Sequence, residues 1–314
     1  MKFGFCLPHD GVLSKPENLT ELALCAEKLG FDTLVEPSDH IVMPNKIRTV
    51  YPYSASGEYT DSPYDLDQAT TLSFVAAKTE KIRLMTGIAV IPYRNPLATA
   101  NSLATVDYLS NGRLDVGVGV GWMKEEFDLL RIPFAERGEI MDENLRILKT
   151  VWSEKEPSFR GKYFQFSDVH FSPKVVQKPH PPIWVGGESP RAIRRAAELG
   201  DAWFPIGANP NFLYSNAEEF SQGIARFRRE LTKRGRDPNG ARIGYFSQDF
   251  ELRDNSLSTE RKAFVGDSAK IISDLREFER LGAGFIAMNF LRDDNLEKTK
   301  AYSEKFANEI LRMI

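Results

Sequence analysis

A histidine that directly follows a carboxylate is the first feature of this chain able to move a proton. His40 stands next to Asp39, and Glu36 precedes it by four residues. Because the unperturbed pKa of imidazole is about 6.5, a histidine held by a carboxylate can serve as general base or acid at neutral pH. We interpret His40 as catalytic, with Asp39 or Glu36 fixing its tautomer. The alternative is that His40 only makes a structural hydrogen bond.

Other catalytic chemistries lack their usual residue patterns. Of the four histidines, only His9 is expected to face the same site as His40, where it would contact substrate. The sequence has no histidine or carboxylate spacing typical of a metal site, no Gly-x-Ser-x-Gly motif and no cysteine with a supporting histidine. We therefore predict no resident metal and favour a planar cofactor that brings its own chemistry.

A glycine turn before a helix predicts an anion site. Gly186 and Gly187 end an apolar run, Ser189 can cap the next helix, and Pro190 fits its first position. Free N–H groups and the helix dipole attract an anion there, and Arg191 adds a fork of donors. The alternative is a capped glycine turn without a ligand.

A second glycine run, 117–121, has the wrong spacing for a dinucleotide fingerprint. Gly117 and Gly119 at the end of a strand leave room for a flat ring against the backbone. Packing within the protein explains them equally well. Trp122 follows this run and is expected to contact substrate.

The elements that position these residues alternate along the whole chain. Strands are predicted at 2–7, 32–36, 82–88, 113–118, 183–185, 202–205, 242–250 and 285–289. A helix is predicted after each of them, including helices at 96–109, 190–199, 212–233 and 268–281. Strict alternation predicts parallel strands, and eight such units favour a closed α/β barrel of the TIM type. We expect one domain over 1–314 with excursions near 41–64 and 154–182. Catalytic residues of such barrels lie at the carboxyl ends of the strands, where His40 and Gly187 fall.

The first excursion is rich in tyrosine. Tyr51, Tyr53, Tyr59 and Tyr64 suggest a lid over an apolar or aromatic molecule. Tyr51 and Tyr53 are our candidates for substrate contact. Alternatively, the lid packs on its own tyrosines.

Composition limits the partners. The chain has 314 residues and a net charge of −3, which argues against nucleic acid or an anionic membrane as the main partner. No apolar run approaches a membrane span, and the first residues do not resemble a signal peptide. Two cysteines outside any paired motif are typical of a reducing compartment. We expect a cytoplasmic protein that acts on a small molecule.

The same residues carry a family resemblance. The matching segments run in order over about two thirds of the chain: Ser38-Asp39-His40, Arg94-Asn95-Pro96, Trp184-Val185-Gly186-Gly187, and residues 27–32, 82–87, 109–113, 117–122, 134–138, 179–182 and 198–203. In these segments the chain resembles the bacterial luciferase-like superfamily, which includes flavin-dependent monooxygenases and deazaflavin-dependent oxidoreductases.

This resemblance implies a barrel with a flavin-like ring over its mouth, a cis peptide at Gly87-Ile88 behind the ring, phosphate at Gly186 and Gly187, and a homodimer. The chain looks most like the branch that depends on the deazaflavin coenzyme F420. The pair Asp39-His40 resembles that of the sugar-phosphate dehydrogenases using this coenzyme. Their tryptophan four residues after the histidine is Pro44 here, and their acidic residue after the glycine strand is Trp122, which argues against a sugar-phosphate substrate.

Three functions are compatible with the sequence. Hydride transfer with F420 is favoured. Oxygenation with reduced flavin mononucleotide (FMN) is the second reading, and a metal-dependent barrel hydrolase is a distant third.

Overall fold

The computed structural model describes residues 1–59, 65–254 and 262–314. Its main feature is a closed barrel of eight parallel strands, as predicted. The barrel strands are β1 Lys2–Cys6, β2 Thr33–Glu36, β3 Arg83–Val90, β4 Leu114–Gly119, β5 Ile183–Gly186, β6 Ala202–Phe204, β7 Arg242–Ser247 and β8 Phe285–Met288. Strand order follows chain order, and β8 closes the barrel on β1 with Phe285 opposite Lys2.

Helices cover the outside of the barrel. In the described part of the chain they are α1 Pro16–Leu29, α2 Gln68–Ala76, α3 Pro96–Leu109, α4 Lys124–Leu129, α5 Arg137–Ser153, α6 Pro190–Leu199, α7 Ala217–Lys233, α8 Ser268–Leu281 and α9 Leu296–Glu309. The starts of α3 and α6 are encoded locally, because Asn95 and Ser189 cap them and a proline occupies the next position.

Several boundaries differ from the sequence prediction. Helix α4 was not predicted, because six residues with adjacent charges give too short a periodic signal. Helix α7 begins at Ala217 rather than near 212, and β7 ends at Ser247 rather than at 250. The excursion near 154–182 contains a short antiparallel pair, Phe159–Arg160 with Gln165–Phe166.

The core has two layers. Neighbouring strand residues point to opposite faces, so alternate side chains fill the barrel. One buried cluster consists only of strand residues and includes Met85, Trp184 and Phe285, whereas a larger cluster joins the strands to the surrounding helices. Cys6 is buried in the inner layer, and Cys25 on α1 is partly exposed. Both thiols are free. Within the three described ranges, no helix has the length and apolar character needed to cross a bilayer.

Candidate active site

His40 lies at the barrel mouth just after β2 and is held by a residue that the sequence analysis missed. Its Nδ1 is 2.7 Å from Oε2 of Glu126, on α4. The Glu126 side chain is fully buried and the His40 side chain is 9% exposed. With Nδ1 committed to the carboxylate, Nε2 is the nitrogen left to exchange a proton with a substrate.

Glu126 also binds the start of the loop that follows β2. Its Oε1 accepts hydrogen bonds from the backbone N–H groups of Ile41 (2.7 Å) and Val42 (3.2 Å). Its Oε2 also accepts from the hydroxyl of Tyr93, at 2.9 Å. Because these hydrogen bonds of the Glu126 carboxylate are all made to protein groups, the carboxylate is fixed in place. It therefore holds the imidazole of His40 in one orientation.

The predicted tautomer partner of His40 was therefore wrong, since Glu126 takes the role assigned to Asp39 or Glu36. Asp39 instead ties β2 to the segment after β3. Its two oxygens accept from both terminal nitrogens of Arg94, at 2.7 and 2.9 Å, and from the N–H of Val90 at 2.6 Å. This bidentate ion pair is buried on the Asp39 side, so it aligns two strand ends at the mouth.

The charge environment of His40 favours its protonated form. Burial alone disfavours the imidazolium, but the hydrogen bond and negative charge of Glu126, helped by Asp65 and Asp39, raise the pKa of His40 above its ordinary value. Because its pKa is raised, His40 stays protonated, and able to donate a proton, at higher pH than an ordinary histidine. It can act as a base only once the pH exceeds this raised pKa.

Aromatic rings cover His40. The Tyr59 ring centroid is 5.4 Å from the imidazole and the Trp122 ring lies perpendicular to it at 6.2 Å. Tyr51 packs on Trp122 at 4.9 Å, on Tyr59 at 5.2 Å and on Tyr53 at 5.7 Å. In this structure the lid thus packs on its own tyrosines, which was the alternative interpretation. Tyr64 lies outside the described residues.

The lid is anchored by the residue next to Glu126. Glu125 accepts the N–H groups of Arg48 (2.9 Å) and Thr49 (3.1 Å), and its other oxygen accepts the Thr49 hydroxyl at 2.7 Å. Helix α4 therefore fixes His40 and the start of the lid with two adjacent carboxylates. Two glutamates soon after a barrel strand were the available signal for these contacts.

A second group of buried polar atoms lies where β1 and β2 end. Oε1 of Gln68, Oδ1 of Asp65 and Nδ1 of His9 lack a hydrogen-bond partner among the described residues. The buried carboxyl group of Glu36 has only the backbone N–H of Ser38 as a nearby donor in the described part of the chain. Nε2 of His9 is 3.8 Å from Oδ1 of Asp65, and the His9 side chain is 20% exposed. His9 thus lies against Asp65. Burial first, and then the negative charge of Asp65, raise the pKa of Glu36 well above its ordinary value.

Replacing Glu36 with glutamine is expected to raise the free energy of unfolding above that of wild type, by an amount that grows as pH rises. The raised pKa means that the folded state binds the proton more tightly than the unfolded state, so wild-type stability falls once pH exceeds about 4.3, the pKa in the unfolded chain. Glutamine cannot ionise, and we expect a gain of about 1–3 kcal/mol near pH 8. Denaturant unfolding between pH 5 and 8 measures it. The control is Glu277→Gln, an exposed position on α8. An equal stability difference at every pH would contradict the assignment.

The glycine turn after β5 is the predicted anion site. Gly187 has φ +102°, and a Cβ there would lie 2.9 Å from the Cβ of Ala192. The hydroxyl of Ser189 accepts the N–H of Ala192 at 3.2 Å, so the first turn of α6 is capped as predicted. The carboxylate of Glu188 accepts the N–H of Ile206 and the side-chain amide of Asn209, both at 2.8 Å. Burial raises the pKa of Glu188 to about 7.

Three arginines gather beside this turn. Burial, followed by the charges of Arg191 and Arg195, lowers the pKa of Arg137. Arg195 pairs with Asp142 and donates to the carbonyl of Gly138 at 3.1 Å, so its charge is compensated within the protein. Arg137 donates to the carbonyls of Phe134 (2.8 Å) and Gly121 (3.2 Å). Only Arg191, which is exposed, was a sequence candidate. Arg137 was missed because α5 and α6 meet only in the closed barrel. The exposed Arg191 and the glycine turn fit a cofactor phosphate.

The strand glycines have a packing reason. A Cβ at Gly117 would lie 2.0 Å from the carbonyl oxygen of Thr86, and one at Gly119 would lie 1.8 Å from the Cδ1 of Ile88. The space at Gly119 is therefore filled by protein, and the packing interpretation of both residues suffices. The peptide Gly87-Ile88 is cis, as the resemblance implied. Ile88 is partly exposed at the end of β3. In the described ranges, no group of three or more His, Cys, Asp or Glu side chains could hold a metal ion.

Comparisons with known proteins agree with this architecture. An uncharacterised protein of Mycobacterium tuberculosis is 33% identical over 184 residues, which cover 58% of this chain and 64% of that protein. An FMNH2-dependent dimethylsulfone monooxygenase of Pseudomonas putida is 31% identical over 66% of this chain and 56% of its own length. These alignments span less than two thirds of either relative. A protein of M. tuberculosis provisionally named as a coenzyme F420-dependent oxidoreductase is 26% identical over 93% of this chain and 76% of its own length.

Solved structures share the fold. A monooxygenase from Streptomyces bottropensis has a TM-score of 0.76 at 23% identity, covering 100% of this chain and 99% of that one. The F420-dependent tetrahydromethanopterin reductase of Methanopyrus kandleri has a TM-score of 0.75 at 18% identity, covering 99% of both chains. Residues 1–280 match the family model described as luciferase-like monooxygenase. The chain therefore belongs to the luciferase-like monooxygenase family, which has both F420-dependent and FMNH2-dependent relatives among its matches.

Proposed function

We propose that this protein is an oxidoreductase that binds coenzyme F420 at the barrel mouth and transfers a hydride to or from a small organic substrate. The observation that carries the proposal is the pairing of His40 with the buried Glu126 at the same end of the barrel as the anion-binding turn. When bound, the deazaflavin supplies hydride transfer. The protein then has to supply a proton donor or acceptor, an anchor for the cofactor and a dry substrate pocket.

His40 is the group proposed to move the proton. A hydride leaves a carbon most easily when the attached hydroxyl loses its proton, and Nε2 of His40 is the free acceptor for it. In the opposite direction the imidazolium donates the proton. The negative charge of Glu126 stabilises the imidazolium in both cases, because it lies 2.7 Å from Nδ1. Asp39 supports this arrangement as a positioning residue through Arg94.

The cofactor is proposed to bind with its phosphate at the turn formed by Gly186 and Gly187. The positive φ of Gly187 and the N-terminus of α6 favour an anion there, and Arg191 and Arg137 add positive charge. The ring would lie at the strand ends near Gly87-Ile88, over the glycine strand that carries Gly117 and Gly119.

The substrate is proposed to be a small apolar or aromatic molecule. Trp122 lies beside His40, Tyr51 packs on Trp122, and Tyr53 packs on Tyr51. Such ring surfaces recognise apolar molecules through large contact areas. His9 is a further candidate for substrate contact. The tyrosine lid must separate from Trp122 before a substrate can reach Nε2. The homodimer and the cytoplasmic location stay predictions.

Oxygenation with reduced FMN is the second candidate, because the dimethylsulfone monooxygenase named above depends on FMNH2 and is 31% identical to this chain. The F420 proposal draws on the relative that spans 93% of the chain and on the resemblance of Asp39-His40 to deazaflavin enzymes.

A parallel titration with F420, FMN and reduced FMN tests the cofactor. We expect F420 to bind with a dissociation constant of about 10 μM or tighter, and FMN to bind at least tenfold more weakly. Fluorescence or calorimetry of purified protein measures both. Tight binding of FMN, with dioxygen consumed during turnover, would instead support the monooxygenase.

A further inference from the structure

A buried carboxyl group belongs to the same turn as the proposed phosphate site. Glu188 follows Gly187 directly and is 2% exposed. Its Oε1 accepts the backbone N–H of Ile206, and its Oε2 accepts the side-chain amide of Asn209. Because both donors follow β6, the carboxyl group is enclosed between the loops that follow β5 and β6.

The hydrogen bonds of Glu188 suit its ionised form, and no cation neutralises it. Asn209 is buried, and its Oδ1 accepts the N–H of Asn211 at 3.0 Å, so its amide presents an N–H donor to the carboxylate. Burial raises the pKa of Glu188 to about 7, and the hydrogen bonds from protein N–H groups oppose this rise. Within the described ranges, no lysine or arginine charge contributes to the shift. Above this pKa the turn therefore contains a buried, unneutralised negative charge.

The other titratable groups that respond to this charge keep one protonation state near neutral pH. They are Tyr53 of the lid, Tyr214 before α7 and Tyr245 on β7. Burial is the largest cause in each case, and together with the negative charge of Glu188 it raises their pKa above the ordinary value of about 10. Arg191 stays protonated throughout. Glu188 is thus the residue of the segment 186–191 whose charge changes near neutral pH.

We propose that Glu188 makes the phosphate site selective for a singly charged phosphodiester over a doubly charged phosphomonoester. A buried carboxylate without a cation repels a neighbouring anion, and this repulsion grows in proportion to the charge of the anion. FMN is a phosphomonoester, and it carries close to two charges near neutral pH because its second pKa is about 6. The phosphate of F420 is a diester and carries one. The inference rests on the proposed function, and it assigns to one residue the preference for F420 over FMN.

The test measures how much the phosphate adds to affinity, by fluorescence titration of the whole protein. FMN is compared with riboflavin, and F420 with the deazaflavin that lacks the phosphate and everything beyond it. The ratio of dissociation constants within each pair removes the contribution of the ring. At low salt and about pH 8, Glu188→Gln is expected to raise this ratio about threefold for F420 and about tenfold for FMN, since doubling the charge doubles the logarithm of the effect.

Glu198→Gln is the matched control for the change in charge. It removes one negative charge from the same helix, α6, but the Glu198 side chain is 48% exposed and solvent screens its charge. Neither ratio should change in this variant.

The pH dependence of wild type tests the same proposal without a substitution. The phosphodiester of F420 does not titrate near neutral pH, and any ionisation of the ring cancels within the pair. The phosphate contribution of F420 should therefore fall as pH rises through about 7, where Glu188 gains its negative charge. In Glu188→Gln it should stay constant over the same interval.

The outcomes separate the inference from the function on which it rests. A gain in affinity that is equal for F420 and FMN, or that riboflavin shares with FMN, would overturn the role of Glu188 while F420 dependence stands. A phosphate contribution of F420 that is independent of pH in wild type would have the same meaning, even if Glu188→Gln failed to fold. Tighter binding of FMN than of F420 by wild type would overturn the proposed function itself.

Discussion

Replacing His40 with alanine is expected to lower turnover at saturating cofactor by about a hundredfold to ten-thousandfold, the usual contribution of a general acid or base. The reason is geometric as well as chemical. Glu126 holds Nδ1 at 2.7 Å and leaves Nε2 as the proton-exchanging atom. Steady-state kinetics with a separate measurement of cofactor affinity checks this, because a base acts on turnover and a cofactor contact acts on affinity.

The pH dependence of turnover shows whether His40 acts as a base or as an acid. If His40 acts as a base, turnover of wild type rises as pH passes its raised pKa, and in the reverse direction the rate falls over the same interval. Glu126→Gln removes the negative charge while keeping the shape, so burial dominates and this limb should move to lower pH. Tyr93→Phe is the matched control, since it removes one hydrogen bond to Glu126 and leaves the charge. If His40→Ala leaves turnover intact and only weakens cofactor binding, the base must be sought at His9 or Asp39.

Replacing Gly187 with aspartate is expected to weaken cofactor binding by about tenfold to a hundredfold or more. Gly187 has φ +102°, which L side chains rarely adopt, and a new Cβ would crowd Ala192 at 2.9 Å. The added carboxylate would also repel a phosphate, and the loss of charge-assisted hydrogen bonds costs about 1.5–3 kcal/mol. Calorimetric titration with the preferred cofactor measures the change.

Gly187→Ala is the control for this prediction. It introduces the same backbone strain and the same contact with Ala192 without a charge, so the difference between the two variants isolates electrostatic repulsion. Thermal unfolding of both variants shows whether the turn itself has been lost. Unchanged affinity in a folded Gly187→Asp protein would place the phosphate elsewhere.

Features with local causes were predictable from the sequence. Helices α3, α6 and α8 were predicted with the bounds that the structure has, because caps, N-terminal prolines or terminal glycines mark their ends within a few residues. The barrel followed from strict alternation of strands and helices. The cis peptide at Gly87-Ile88 came from the family resemblance rather than from the local sequence.

The hydrogen-bond partners of the site residues could not be predicted from local sequence signals. Glu126 is 86 residues from His40, and Arg94 is 55 residues from Asp39, so neither spacing carries a periodic signal. Similarly, the sequence could not show whether Gly117 and Gly119 of β4 leave space for a ligand. In the structure, Thr86 and Ile88 of the neighbouring strand β3 occupy that space.

The sequence by itself determined the alternation of elements, the barrel, the position of His40 and Gly187 at strand ends, and the capped turn that suits an anion. Only the tertiary structure decided that Glu126 orients His40, that Asp39 pairs with Arg94, that Arg195 pairs with Asp142, and that the tyrosine lid packs on Trp122. The physical reason is that propensity, capping and turn geometry act over a few residues, whereas hydrogen bonds and charge contacts act through space. Barrel closure brings the ends of distant strands together, and it alone determines which side chains meet there.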